Sequence, residues 1–122
     1  MILADTSVWI DYLRSGDTAL VVLLGRRRVV MHPMVLGELA LGNLKDRASI
    51  LEMWRELPGI EVASDEEVLA LIDSAGLMGK GIGWIDAHLL AAVARSVGVR
   101  LWTRDQRLDG LAVQLGVSIN SL

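Results

Sequence analysis

Four acidic residues, far apart in the sequence, are the first candidates for chemistry: Asp5, Glu38, Asp86 and Asp105. Asp5 directly follows residues 2–4, an apolar run that is too short for a helix and predicts a buried strand. A carboxylate at the carboxyl end of a buried first strand lies where open α/β sheets place their ligands. Taken alone, Asp5 could equally serve only as the N-cap of the helix that follows. The positions of the other three acids decide between these two interpretations.

The other three acids lie next to predicted strands or at the start of a helix. Glu38 belongs to a helix that begins just past the second strand, among leucines that predict a nearby buried face, and Asp105 comes shortly after the fourth strand. Asp86 lies near the start of the longest predicted helix, just after the glycine-rich residues 80–83. Parallel strands with right-handed crossovers all lead out of the sheet at one edge. We therefore expect the four carboxylates to converge there.

Converging carboxylates repel one another and lose hydration unless a positive charge lies among them. Mg²⁺ and Mn²⁺ are hard cations that take oxygen ligands, so either would suit this group. Asp5, Asp86 and Asp105 are the expected ligands. The chemistry that such a site predicts is phosphodiester hydrolysis, in which one metal activates water and a second stabilises the leaving oxygen.

The elements that position these acids alternate between strand and helix, which predicts an α/β fold with a mostly parallel sheet. The pattern predicts four or five strands, at residues 2–4, 29–31, 60–62, 100–102 and 117–119. It predicts helices at residues 6–14, 19–24, 33–42, 46–57, 65–72, 84–97 and 108–115. With no linker or internal repeat, residues 1–122 are expected to form one domain.

Composition excludes some classes of protein and leaves others open. The chain has no cysteine, so disulfides and thiolate metal sites are excluded. No apolar run is long enough to span a membrane, and a cytoplasmic protein is expected. The net charge of −3 argues against a binder that neutralises many phosphates, but not against a nuclease that holds cations. The 52% hydrophobic content in a chain of 122 residues leaves apolar surface for a partner, which favours oligomerisation.

Three other α/β classes lack their required residues. An aspartyl-phosphate phosphatase needs a second aspartate two positions after the first, where this chain has Ser7. A phospho-receiver domain needs an aspartate after a middle strand, but residues 62–64 are Val-Ala-Ser. A dinucleotide-binding fold needs a glycine-rich turn after the first strand, and residues 5–7 contain no glycine.

Four short motifs resemble those of the PIN-domain nucleases, and more closely the VapC toxins of bacterial toxin–antitoxin pairs. They occur in the family's order and together extend over nearly the whole chain, from Asp5 to Asp105. The motifs are Asp5-Thr6-Ser7-Val8-Trp9-Ile10-Asp11, then Gly37-Glu38-Leu39 with Gly42, then Asp86 with Leu89, Leu90, Ala91, Ala92 and Ala94, and finally Leu101-Trp102-Thr103-Arg104-Asp105. Each is weak alone, but their combination and spacing are specific.

The resemblance implies a central parallel sheet and a Mg²⁺- or Mn²⁺-dependent endoribonuclease, with Asp5, Glu38, Asp86 and Asp105 as its catalytic acids. It matches Ser7 and Thr103 to polar residues that orient carboxylates or waters. It also implies a homodimer that is held inactive by a VapB-type antitoxin. The alternatives are a non-catalytic PIN-like module that binds RNA or protein, against which the intact acids argue, and a housekeeping RNA-processing nuclease without an antitoxin.

Four further residues have roles that the sequence leaves open. His32 follows the second strand and could contact substrate or move protons, although capping of the next helix is the favoured interpretation. Asp109 lies one turn after Asp105 and is either an outer metal ligand or merely exposed. Lys80 and Arg104 are the candidates for RNA contacts.

Overall fold

The computed structural model describes residues 1–121, which form three strands and seven helices. The strands are β1 (Ile2–Ala4), β2 (Val29–Val30) and β3 (Arg100–Trp102). The helices are α1 (Thr6–Ser15), α2 (Thr18–Gly25), α3 (Pro33–Ala40), α4 (Arg47–Glu56), α5 (Asp65–Ala75), α6 (Trp84–Arg95) and α7 (Gln106–Gln114). No helix in this part of the chain is long and apolar enough to cross a bilayer.

The sheet has the order β2-β1-β3, and both pairings are parallel. Leu3 of β1 is in register with Val30 of β2 and with Leu101 of β3. All three side chains are buried, which accounts for the continuous apolar runs that mark these strands in the sequence. The predicted α/β fold with a parallel sheet is confirmed. Because the strands are parallel, their carboxyl ends meet at one edge, where the segments that carry the acids begin.

The predicted number of strands, four or five, is wrong for residues 1–121. The segment predicted as a strand at 60–62 forms no bridge, although Gly59 just before it forms a single parallel bridge with Met31. The segment at 117–119 contributes one parallel bridge, Leu101 with Ser118. Pro58 has no amide hydrogen to donate, and Glu61 and Val62 are exposed beyond it, so the pairing at Gly59 ends after one residue. Near the C-terminus, the Ser118 amide donates to the Ser121 hydroxyl, which closes a turn.

The core lies between the sheet and the helices, and α6 is its central helix. Every residue of α6 from Ala87 to Val93 is buried. The helix ends at Arg95, two residues before its predicted end, and Val97 beyond it is fully exposed. Burial of its middle turns holds α6 against the sheet, so its half-buried first turn, which carries Asp86, is fixed relative to the strands.

Candidate active site

Asp5 is at the centre of the carboxyl edge, buried with 6% of its surface exposed. Its amide donates to the Trp102 carbonyl oxygen at 2.9 Å, which extends the pairing of β1 with β3. Its Oδ1 accepts from the Ser7 and Val8 amides and so caps α1, while the Ser7 hydroxyl donates to the same oxygen at 2.5 Å. The capping role is thus present, and it leaves Oδ2 facing β3.

Thr103 is the residue that holds this second oxygen. Its hydroxyl donates to Asp5 Oδ2 at 2.5 Å, across 98 positions of sequence, and accepts from the Asp105 amide at 3.0 Å. Ser7 is engaged in a similar way, since its Oγ accepts from the Arg104 amide at 3.0 Å. The two hydroxyls therefore tie the segment after β3 to the segment after β1, on either side of the Asp5 carboxylate.

Glu38 is exposed on α3, which differs from the buried face that its leucine neighbours predict. Leu39 is buried but Leu41 is 90% exposed, so the apolar stripe of α3 is narrower than the sequence indicates. Glu38 is held instead by Thr6, whose hydroxyl donates to Oε1 at 2.8 Å. Thr6 is not among the residues that the sequence predicts for the site. The feature that could have indicated this role is a hydroxyl group in the first turn of the helix that Asp5 caps.

Asp86 lies in the first turn of α6, where its Oδ2 accepts from the Gly83 amide at 3.3 Å. Burial raises the pKa of Asp86, and the negative charges of Asp5, Asp105 and Glu38 raise it further, against the opposing effect of the Gly83 hydrogen bond. The three other acids therefore lie near enough to Asp86 for their negative charges to disfavour its ionised form.

Asp105 is exposed at the start of α7, where its Oδ1 accepts from the Arg107 and Leu108 amides and caps the helix. Among residues 1–121, one oxygen each of Asp105, Asp86 and Glu38 makes no hydrogen bond. No basic side chain in the same residues forms an ion pair with any of the four acids. The pocket is therefore an uncompensated cluster of carboxylate oxygens.

The chemistry of these donors suits a hard divalent cation, which prefers oxygen ligands. Within residues 1–121, however, no group of three or more acidic or histidine side chains is arranged so that it could hold a metal ion as it stands. Mg²⁺ commonly retains several waters and uses only one or two carboxylates, so it does not require a closed protein cage. The donor set fits such an ion, and Asp86, Asp105 and Asp5 remain the predicted ligands.

His32 is buried and caps α3, because its Nδ1 accepts from the Met34 amide at 3.0 Å. Burial and the neighbouring His88 lower the pKa of His32 to about 4. The ring of His88 lies 6.3 Å away between centroids. This geometry agrees with the capping interpretation, since a neutral, fully buried ring does not reach a substrate.

Asp109 points away from the acidic pocket and binds the C-terminal turn. Its Oδ1 accepts from the Ser118 hydroxyl at 2.5 Å, and its Oδ2 accepts from the Asn120 side-chain amide at 3.1 Å. With both oxygens occupied in this way, the structure favours a role in packing the turn over a role as an outer metal ligand.

The two basic residues proposed for RNA contacts differ in their surroundings. Arg104 is engaged: its guanidinium pairs with Asp11 and Asp17 and lies 5.2 Å above the Trp102 ring. Lys80 is exposed and forms no ion pair within residues 1–121. The Arg28 carbonyl oxygen accepts from the Ile2 amide, so the basic segment 26–28 lies at the opposite edge of the sheet, as the topology predicts.

The PIN domain family model matches residues 2–114, which include all four acids, and the chain therefore belongs to the PIN-domain family. Within that family it is similar to two proteins named Ribonuclease VapC32, from the Mycobacterium tuberculosis strains CDC 1551 / Oshkosh and ATCC 25618 / H37Rv. It is 46% identical to each over 119 residues, which cover 98% of this chain and 96% of the relative. The VapC-type resemblance of the four motifs is thus confirmed.

Proposed function

We propose that this protein is an endoribonuclease that requires Mg²⁺ or Mn²⁺ and cleaves phosphodiester bonds in RNA. The observation that carries the proposal is the group of four carboxylates at the carboxyl edge, which repel one another and have no basic partner among residues 1–121. An RNA phosphate approaches such a pocket only when cations offset its charge. A bound divalent cation supplies Lewis-acid charge that activates water and stabilises the leaving oxygen.

The chain's own residues hold the site in shape for this reaction. Ser7 and Thr103 fix the two oxygens of Asp5 in place, and Thr6 orients Glu38. Asp86 lies in the first turn of α6, and Asp105 is the N-cap of α7. These contacts hold the carboxylates at one edge of the sheet, where a cation that keeps several waters and binds one or two carboxylates directly could be held.

The test is cleavage of a single-stranded RNA oligonucleotide by wild type and by Asp5→Asn. Asparagine caps a helix about as well as aspartate, so the fold should persist while the charge at the centre of the pocket is lost. We expect cleavage by wild type with Mg²⁺ or Mn²⁺, none with a chelator, and none by D5N. The matched control is Asp73→Asn, which removes an exposed carboxylate from α5 and should cleave like wild type. Full activity of D5N would exclude the proposed site.

The biological role that we propose is the toxin of a toxin–antitoxin pair, acting in the cytoplasm as a homodimer whose VapB-type antitoxin blocks the pocket. The support is the VapC name of both relatives, together with the motif resemblance. Induced expression of the wild type should arrest bacterial growth, while D5N should not, and co-expression of a small upstream neighbouring gene should restore growth. If the enzyme is active in vitro but its expression leaves growth unaffected, a housekeeping nuclease is favoured.

The proposed homodimer is tested by light scattering at high protein concentration. The mass of a monomer in that measurement would exclude the dimer.

A further inference from the structure

Arg107 on α7 lies across the main chain of Gly81 in the glycine-rich segment before α6. A Cβ atom at Gly81 would come within 2.9 Å of one guanidinium nitrogen of Arg107 and within 3.0 Å of its Cδ. Gly81 also has a φ of +82°, which disfavours any residue with a side chain. The absence of a side chain at Gly81 therefore leaves space for the Arg107 guanidinium.

This position bridges the two elements that carry Asp105 and Asp86. Arg107 is two residues after Asp105, whose carboxylate caps α7 by accepting from the Arg107 amide. Gly81 is two residues before Gly83, whose amide donates to Asp86. The guanidinium thus lies between the start of α7, which Asp105 caps, and the segment that leads into α6 and Asp86.

Arg107 nevertheless forms no ion pair within residues 1–121, either with the four acids or with any other group. Lys80, which precedes Gly81 in the sequence, is also exposed and forms no ion pair within the same residues. Arg104, by contrast, is occupied by Asp11 and Asp17. Two cations without an ion pair in the described residues therefore belong to the segments that carry Asp86 and Asp105.

We propose that Arg107 and Lys80 form a phosphate-binding subsite that holds the RNA strand next to the scissile bond, an inference that rests on the proposed function. A guanidinium presents a planar fork of donors that matches two phosphate oxygens, and the contact with Gly81 fixes its position. The Lys80 ammonium adds a second positive charge, which binds phosphate without a required planar geometry. The subsite draws a backbone phosphate to the edge of the acidic pocket, where repulsion would otherwise keep it away.

The experiment measures binding of a fluorescent single-stranded RNA in Mg²⁺, with every variant made in the D5N background so that no cleavage occurs. Arg107→Gln should weaken binding about tenfold, the effect of one lost charge-assisted hydrogen bond. It should also make the slope of log affinity against log salt concentration less steep by about 0.7, the value for one phosphate contact to a single strand. Arg107→Lys should retain the salt dependence and lose part of the affinity. Lys80→Gln should flatten the salt dependence as well.

The matched control is Arg28→Gln, which removes the same charge at the opposite edge of the sheet and should leave both quantities unchanged. Equal losses in R107Q and R28Q would overturn the subsite, because the effect would then follow net charge alone. Wild-type affinity and salt dependence in R107Q would overturn it too. Since cleavage is tested separately with the enzyme that retains Asp5, an inactive wild type would refute the proposed function and not be mistaken for failure of the subsite.

Discussion

At the scale of single residues, three hydroxyl groups determine how the carboxylates face the pocket. Ser7 and Thr103 each donate to one oxygen of Asp5, and Thr6 donates to Glu38. Each of these bonds joins two different segments or fixes the first turn of a helix. Hydrogen bonds to charged groups contribute about 1.5–3 kcal/mol each, enough to hold a carboxylate in one orientation. The hydroxyls are therefore as important to the site's geometry as the acids.

Removal of the Thr6 hydroxyl tests this argument for Glu38. Thr6→Val keeps the shape and branching of the side chain but cannot donate to Oε1. We expect a loss of about 10–100-fold in the cleavage rate, the usual effect of removing a hydrogen-bond partner that orients a residue of a metal site. Thr6→Ser should restore most of the loss. A metal titration of the cleavage rate measures both, and equal rates for T6V and wild type would contradict the role.

The buried imidazole of His32 predicts that stability falls in acid. Its pKa is lowered from 6.5 to about 4 by burial and by His88, so the unfolded chain takes up this proton first as the pH decreases. The free energy of unfolding should therefore decrease as the pH falls from about 6.5 towards 4, by up to about 3 kcal/mol. Urea denaturation at several pH values measures this. His32→Asn keeps a capping side chain but cannot titrate, and its pH dependence should be flatter. If the free energy of unfolding depends on pH in the same way for wild type and H32N, another titrating group causes the pH dependence.

At the scale of elements, the first turns of α6 and α7 are the parts of the fold that carry the site. Asp105 caps α7, and Asp86 accepts from the amide that precedes α6. The first turn of α7 has a second task, because Asp109 in that turn accepts from Ser118 and Asn120 and so joins the helix to the C-terminal turn. The start of α7 thus carries Asp105 for the site and Asp109 for packing of the chain.

Asp109→Asn separates these two tasks. The substitution weakens the hydrogen bond from the Ser118 hydroxyl or from Asn120, and we expect a loss of about 1 kcal/mol in stability. The dependence of the cleavage rate on Mn²⁺ should stay that of wild type, since both oxygens face the turn. Thermal unfolding and a metal titration test the two statements. A shift in the titration would instead identify Asp109 as an outer ligand.

Most elements could be predicted from sequence because their signals are local. Asp5, Asp17, Ser64 and Asp105 each precede a helix, and each accepts a backbone hydrogen bond there. The segments at 60–62 and 117–119 have the apolar composition of strands, but pairing depends on partners distant in sequence. Only single bridges form there, at Gly59 just before the first segment and at Ser118 within the second. The same limit applies to Arg104 and Arg107, whose different surroundings depend on contacts with Asp11, Asp17 and Gly81 that no local pattern records.

At the scale of the whole molecule, the acidic pocket should make stability depend on cations. The carboxylates repel one another in the folded state and are farther apart in the unfolded chain, so an ion that binds only the folded state stabilises it. At a Mg²⁺ concentration of about 100 times Kd, the gain is about 2.7 kcal/mol. Wild type should unfold at a higher temperature with Mg²⁺ than with the same ionic strength of K⁺. D5N should show little difference between the two salts, whereas an equal shift in D5N would assign the ion to another site.

The position of β1 in the middle of the sheet has a consequence for synthesis of the protein on the ribosome. One of its neighbours, β2, follows within 30 residues, but the other is β3, about 100 residues later. Until β3 and Thr103 have left the ribosome, Asp5 lacks the hydroxyl and the carbonyl that hold it from that side. A nascent chain therefore cannot assemble the acidic pocket early, and the site forms only when nearly all of the protein has been made.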